Sequence, residues 1–303
     1  MSREEIVQKF INNPIYMTNG AGFLSKQWNC KKSDIFEARD RVRAMNKELD
    51  LKDKPFKRMF FDIETSYNVI ADFACGWNKS IGPHQILKER AIICICWKWE
   101  DEDKVNYLKW DDNQCDKKML TEFSKEIERA DEVIGHNGDK FDLRWLRGRC
   151  IIHQLPFPTY VKSLDTLKKV RAAGYFNSNK LDYLGKILLG HGKVDTGGFQ
   201  LWVDICENKC KEAMHKMILY CKNDVVLLQD VFDKLSPYIT HNTHVGVADG
   251  GEKYTCKCCG GSNIEFKKNV YTPTGNVQRL VECRDCRVDF KLSNQVWKNY
   301  LKG

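Results

Sequence analysis

The stretch Arg58–Asn68, RMFFDIETSYN, decides how the chain reads. An apolar run, Met59-Phe60-Phe61, leads directly into two acids, Asp62 and Glu64, with Ile63 between them. A strand places residues i and i+2 on one face. Both carboxylates therefore point the same way, beside a run that wants to be buried. Like charges so placed repel unless something neutralises them. The stretch predicts a buried strand that ends at a cation site, with further ligands supplied from elsewhere in the chain.

Two later stretches offer those ligands. GHNGDKFD, Gly135–Asp142, puts Asp142 at the start of a helix after a strand and a glycine-containing turn. YCKND, Tyr220–Asp224, spaces a tyrosine and an acid four residues apart, on one face of a helix. The apolar run from Val225 to Leu228 follows, so Asp224 lies next to buried surface, where an unpaired carboxylate is costly. Any one of these acids alone reads as a solvated surface residue. Together, four carboxylates suit two divalent cations about 3.5–4 Å apart, of the kind that drive in-line phosphodiester displacement. Carboxylates are hard donors, which points to Mg²⁺ or Mn²⁺.

Outward from Arg58, strand patterns fall at 59–65, 90–99 and 104–110. A helix is predicted at 120–130 and a strand at 132–137. Helices follow at 140–153, 180–189 and in two segments between 207 and 235. This order predicts an α/β domain over 59–240, a mixed sheet flanked by helices with the ribonuclease H-like arrangement. Residues 1–58 read as a helical, helix-turn-helix-like module. Helices are expected at 3–13 and 20–28 around the turn Asn12-Asn13-Pro14, then a longer helix capped by Ser33. Ile35, Ala38, Val42, Met45 and Leu49 give that helix a buried stripe; Arg39, Arg41, Arg43 and Lys47 fall off it. The module reads equally as a nucleic-acid-binding element or as a small bundle with a solvated basic face. Polar segments at 48–58 and from about Thr240 read as linkers.

Composition agrees with a nucleic-acid partner. The 303 residues carry a net charge of +8, distributed as +5 over 1–58, −2 over 59–250 and +5 over 251–303. Basic ends around a slightly acidic centre suit a metal-loaded core whose flanks hold a polyanion. No window approaches the ~20 apolar residues of a membrane span, and the N-terminus lacks a signal-peptide layout. The expectation is no membrane association and a cytoplasmic protein (host cytoplasm if viral). The 14 cysteines then read as buried thiols plus a metal site. Cys256-x-x-Cys259 and Cys283-x-x-Cys286 form two thiolate pairs separated by a hairpin signal. Such pairs make a closed tetrahedral site for structural Zn²⁺, a zinc ribbon within a C-terminal unit of 241–303. Cys258 is a competing thiol. Lys267, Lys268, Arg279, Arg284, Arg287, Lys291 and Tyr271 suit nucleic acid, although docking of a protein is an open alternative.

FFDIETS, GHNGDKFD and YCKND resemble the three exonuclease motifs of the DEDD superfamily of 3′-5′ exonucleases. Within it they are most similar to the proofreading domain of family-B DNA polymerases and its stand-alone, often phage-encoded, relatives. The resemblance covers roughly residues 59–240. It implies that Asp62, Glu64, Asp142 and Asp224 bind the catalytic metals, with Asp62 as the bridging ligand. The position five residues before Asp224, where one subtype carries His, is Leu219; Tyr220 places the chain with the tyrosine (DEDDy) subtype. The resemblance implies that Tyr220 orients the attacking water, and that Asn137 and Phe141 bind substrate, although Phe141 also reads as core packing. Asp165 and Asp182 read equally as acids near the site or as helix-starting residues, and His136 as a hydrogen-bonded structural histidine. The implied activity is 3′-5′ exonucleolytic hydrolysis of a single-stranded or frayed end, DNA being favoured, with a polymerase or other replication protein as a possible partner. The alternatives are a non-catalytic DNA-binding regulator and a ribonuclease H-like endonuclease.

Overall fold

Strand β1 (Arg58–Thr65) forms where the alternation predicts it, and it is the centre of the domain. The computed structural model describes residues 2–12, 16, 21–52, 56–73, 76 and 80–302, and the side chains of 43–52 lie outside what it describes. The expected turn at Asn13-Pro14 and the roles of Arg43, Met45, Lys47 and Leu49 therefore fall outside the described residues.

On one side β1 pairs antiparallel with β4 (Ile92–Trp99), which pairs antiparallel with β5 (Val105–Lys109). On the other it pairs parallel with β6 (Glu132–Gly135), and β6 with β7 (Lys162–Asp165). The sheet order is β5-β4-β1-β6-β7, and β2 (Val69–Ile70) and β3 (Ile86–Lys88) form a separate small hairpin. β7, β2 and β3 carry too few residues for the sequence pattern to reveal.

Helices cover both faces, which is why β4 is apolar at nearly every position. Met59, Phe61 and Ile63 face a layer containing α4 (Lys117–Ile127) and α5 (Asp142–Ile152), where Phe123 packs edge-on against Trp97. Phe60 faces the other way, onto α9 (Lys211–Leu235), its ring 5.5 Å from that of Phe232. Asp62 and Glu64 share the parity of Phe60 and so leave the strand on the α9 side. The expected pair of helices between 207 and 235 is instead α8 (Gln200–Cys206) and one unbroken α9. The break falls earlier than predicted, at Asn208-Lys209, where Lys209 adopts a left-handed φ of 49°.

Helices α6 (Thr166–Ala173) and α7 (Leu181–Leu189) complete this side. On the N-terminal side, α1 (Arg3–Asn12) and α2 (Ala21–Gln27) pack on α3 (Lys32–Lys52). Helix α3 begins at Lys32, so Ser33 lies inside it rather than capping it. Asp34 is used instead: it accepts the Lys31 N–H and pairs with Arg3. Arg39 is turned inward, donating to the Tyr16 carbonyl, and Arg41 pairs with Glu4, so half of the expected basic face is spent on internal contacts.

The segment expected to be a linker after Thr240 is instead pinned to the domain. Lys169 Nζ donates to the Thr240 carbonyl, Thr243 Oγ1 donates to Glu132, and His241 is buried. It leads through α10 (Val245–Ala248) into a three-stranded antiparallel sheet of β8 (Ile264–Tyr271), β9 (Val277–Cys283) and β10 (Asp289–Ser293), closed by α11 (Asn294–Tyr300). Buried Arg58 ties the pieces together, donating to Glu132, Glu100 and the Cys258 carbonyl.

Candidate active site

The carboxyl-terminal ends of the parallel strands converge, the place where open α/β sheets bind ligands. Asp62 and Glu64 emerge from β1. Asp224 meets them from α9, and the oxygens of the three lie within 4.8 Å of one another. Asp142 comes from the start of α5, after the turn Gly135–Gly138. The two glycines that bracket that turn approach closely: a Cβ on Gly135 would come 3.1 Å from Gly138 Cα, and between them Asn137 takes a left-handed φ of 69°. Asp142 is buried, and its Oδ1 accepts the Ile63 N–H at 3.2 Å. It therefore stands beside the three-acid cluster, fixed to the peptide between Asp62 and Glu64, rather than within it.

Burial pushes Asp62 and Glu64 well above the ordinary carboxylate range, and neighbouring Cys221 and the other acids add to the shift. Burial raises Asp142 to about 7. Asp224 is also raised by burial, against the pull of a cation that the motifs did not point to, Lys193. Lys193 Nζ lies 2.5 Å from Asp224 Oδ2 and donates to the Tyr220 hydroxyl at 3.2 Å. Burial alone would depress this ammonium, but Asp224 and Asp62 outweigh that and hold its pKa above the ordinary value. Its segment is fastened by Asp182, which accepts the Lys193 N–H at 2.9 Å; a Cβ on Gly192 would collide with the same carboxylate. Asp182 thus acts on the site through Lys193.

Lys193 also borders a cleft of about 800 Å³ together with His136, Asn137, Lys140, Arg171 and Lys180. His136 is held on both ring nitrogens, by Thr166 Oγ1 and the Asn179 carbonyl. Asp165 caps α6 through the Leu167 and Lys168 N–H groups and accepts the strained Asn137 N–H. Phe141, expected to touch substrate, is half-buried against the core beside Trp145 and is not among the described residues lining this cleft. As the first residue before α5, it is turned into the sheet by the helix it precedes.

The donor set fits divalent cations. Asp224 Oδ1 is buried with no hydrogen-bond partner among the described residues, and every acid of the cluster is shifted toward protonation. A cation would remove both penalties. At the other end of the chain, the sulfurs of Cys256, Cys259, Cys283 and Cys286 lie within 4.8 Å of one another. The Cys256–Cys286 and Cys259–Cys283 separations are 3.5 and 3.6 Å, near the ~3.8 Å edge of a tetrahedron with 2.3 Å Zn–S bonds. The cluster is compatible with a zinc ribbon. Cys258 stands beside the four rather than among them: its sulfur lies 3.0 Å from Ser236 Oγ and also contacts Cys286. Part of the positive charge around these cysteines is internally paired, Lys267 with Glu282 and Asp289, Arg284 with Glu265 and Arg287 with Glu282.

The family described as the RNase_H superfamily matches residues 84–236, half of the chain; the match includes Asn137, Asp142, Tyr220 and Asp224 and begins after β1. No curated protein matches. Among solved structures, the chain is similar to the family B DNA polymerase from the hyperthermophilic archaeon Pyrobaculum calidifontis, with 14% identity and a TM-score of 0.47. The alignment covers 65% of this chain and 26% of the polymerase, so the chain spans about a quarter of that protein's length. Among the described residues, no helix is long and apolar enough to cross a membrane.

Proposed function

Because the chain belongs to the ribonuclease H superfamily, we propose that it is a 3′-5′ exonuclease of the DEDDy type, dependent on Mg²⁺ or Mn²⁺, that acts on single-stranded or frayed DNA ends. The observation that carries the reading is the convergence of Asp62, Glu64 and Asp224 within 4.8 Å, with Asp142 fixed alongside. These four would hold the cations, which when bound activate a water and stabilise the leaving oxygen of a phosphodiester.

The chain's own groups have distinct tasks. Tyr220 lies one helical turn before Asp224, and burial raises its hydroxyl above the ordinary phenol value. It stays protonated at neutral pH and orients the attacking water rather than deprotonating it. Lys193 holds the Tyr220 hydroxyl and Asp224 together and brings positive charge to the mouth of the cleft, where a phosphate would arrive. Asn137 borders that cleft, which supports a role for it in contacting the terminal nucleotide. Residues 1–58 and the zinc-binding 241–303 unit would extend the contact with nucleic acid, and a polymerase or other replication protein is the partner class this activity serves.

The test is digestion of 5′-labelled DNA and RNA strands beside covalently closed single-stranded circles, with Mg²⁺ or Mn²⁺. Stepwise shortening of linear strands from the 3′ end, with intact circles, and loss of cleavage in Asp62→Ala or with chelator, supports the reading. Cut circles would reassign the site to an endonuclease. Undiminished cleavage by Asp62→Ala would remove the site altogether.

A further inference from the structure

Three cysteines lie directly behind the acid cluster, and the proposed chemistry uses none of them. Cys94 and Cys96 project from β4 toward α9, and Cys221 projects back from α9; all three are fully buried, with their sulfurs within 4.8 Å of one another. The register places Cys96 opposite Asp62 and Cys94 opposite Glu64. Cys221 Sγ lies 3.5 Å from the Asp62 carbonyl and 3.7 Å from Asp62 Oδ2, and Cys221 sits between Tyr220 and Asp224 in the chain. Every element that contributes a thiol therefore carries, or pairs with, the acids.

We propose that Cys221 is a site of reversible oxidation, forming a disulfide with Cys94 or Cys96 that draws the acid cluster out of its working geometry; the functional half of this proposal rests on the nuclease reading above. Cys94 and Cys96 are poor partners for each other. They lie two residues apart on one strand, with side chains in parallel and Cα atoms about 6.8 Å apart, at the far limit for a disulfide. Cys221 faces both from the opposite element. The oxidant class is a small peroxide, since the thiols are buried. The sulfur of one partner attacks one oxygen of hydrogen peroxide as its thiolate, giving, once the departing hydroxide takes up the thiol proton, the sulfenic acid and one water. The other partner's sulfur then attacks the sulfenic sulfur, forming the S–S bond between Cys221 and Cys94 or Cys96 and releasing a second water. Two electrons pass from the two sulfurs to the peroxide, and a dithiol reverses the change by exchange.

A disulfide suits this place better than a bound soft metal does. It adds no charge next to four carboxylates, whereas three thiolates around a divalent cation would leave a net negative charge in the core. Bonded sulfurs sit about 2.05 Å apart, much closer than non-bonded ones, so α9 and β4 must move together locally. Tyr220 and Asp224 move with α9, and a misplacement of about 1 Å in a catalytic constellation can cost about 10²-fold in rate.

The experiment uses the full, zinc-loaded chain treated with limiting hydrogen peroxide, then alkylated and mapped as non-reduced peptides, while released zinc is followed in the same sample. The expected result is a peptide containing Cys221 linked to one from 92–99, formed in step with a rate loss on the order of 10²-fold, and both reversed by dithiothreitol. Cys221→Ser should retain its own untreated rate after the same exposure; if that variant does not fold, the Cys94→Ala/Cys96→Ala pair takes its place. Full alkylation of Cys221 after treatment would overturn the proposal, as would a cross-link that leaves the rate unchanged. The cross-link is read without any assay of cleavage, so a failure of the nuclease reading would be seen separately.

Discussion

Replacing Asp142 with Asn should stabilise the chelated protein at alkaline pH while removing its cleavage activity. Asp142 is buried, and burial raises it from 3.8 to about 7, so the native fold favours its protonated form. For a raised carboxyl, the stability contribution is intact below pH 3.8 and is lost as pH rises through about 7. At about 1.36 kcal/mol per pH unit, that interval comes to roughly 4 kcal/mol at most by pH 8.5. Asparagine cannot ionise, is nearly the same size, and can still accept the Ile63 N–H that Asp142 holds at 3.2 Å. The assay is urea unfolding in EDTA at pH 5.5 and 8.5. Wild type should lose stability between the two, and the variant should lose less, by up to roughly 2 kcal/mol, because the two pH values span only the part of the interval from 5.5 to about 7. Asp62, Glu64 and Asp224 are also raised, so the variant keeps part of the slope. Saturating Mg²⁺ should restore wild type and help the variant less. A variant less stable than wild type at pH 8.5 in EDTA, or a difference that does not change with pH, would refute the reasoning.

Lys193→Met should lower the cleavage rate on the order of 10²-fold, because Asp224 and Tyr220 lose their shared donor, and Lys193→Arg should recover part of it; initial rates at saturating Mg²⁺ decide. Asp116→Ala should cost about 3–5 kcal/mol in urea unfolding. It strips a fully buried carboxylate from Arg149, His153 and the Ile92 N–H, leaving a guanidinium uncompensated. Cys283→Ser should lose the bound zinc measured by atomic emission and open residues 251–303 to proteolysis, since a small metal-held unit has little core of its own.

The parts of the fold legible in the sequence are those where periodicity meets burial. Met59-Phe60-Phe61 and the apolar 92–99 run read as strands because helices cover both faces. The alternation of Asp62 and Glu64 also fixed their common face, and α9 is what that face meets. β7 was illegible because four residues carry no pattern, and its last one, Asp165, is recruited as the cap of α6. The acids of the site could be named because metal chemistry dictates residue type and helical spacing dictates the Tyr220–Asp224 offset. Lys193 could not: it comes from an irregular segment after Gly192, placed by one hydrogen bond to Asp182 eleven residues earlier. The linker after Thr240 looked polar for the same kind of reason. Its polar groups are spent on Lys169 and Glu132, contacts that composition does not reveal.

The central claim, that the acid cluster is a hard-cation centre, is tested most directly by anomalous diffraction from crystals soaked in Mn²⁺. The account predicts a manganese peak among the carboxylates of Asp62, Glu64 and Asp224, on the side reached by Asp142, and its loss in Asp224→Asn. Manganese bound elsewhere, with these carboxylates free of metal while the soaked protein still cleaves DNA, would contradict it.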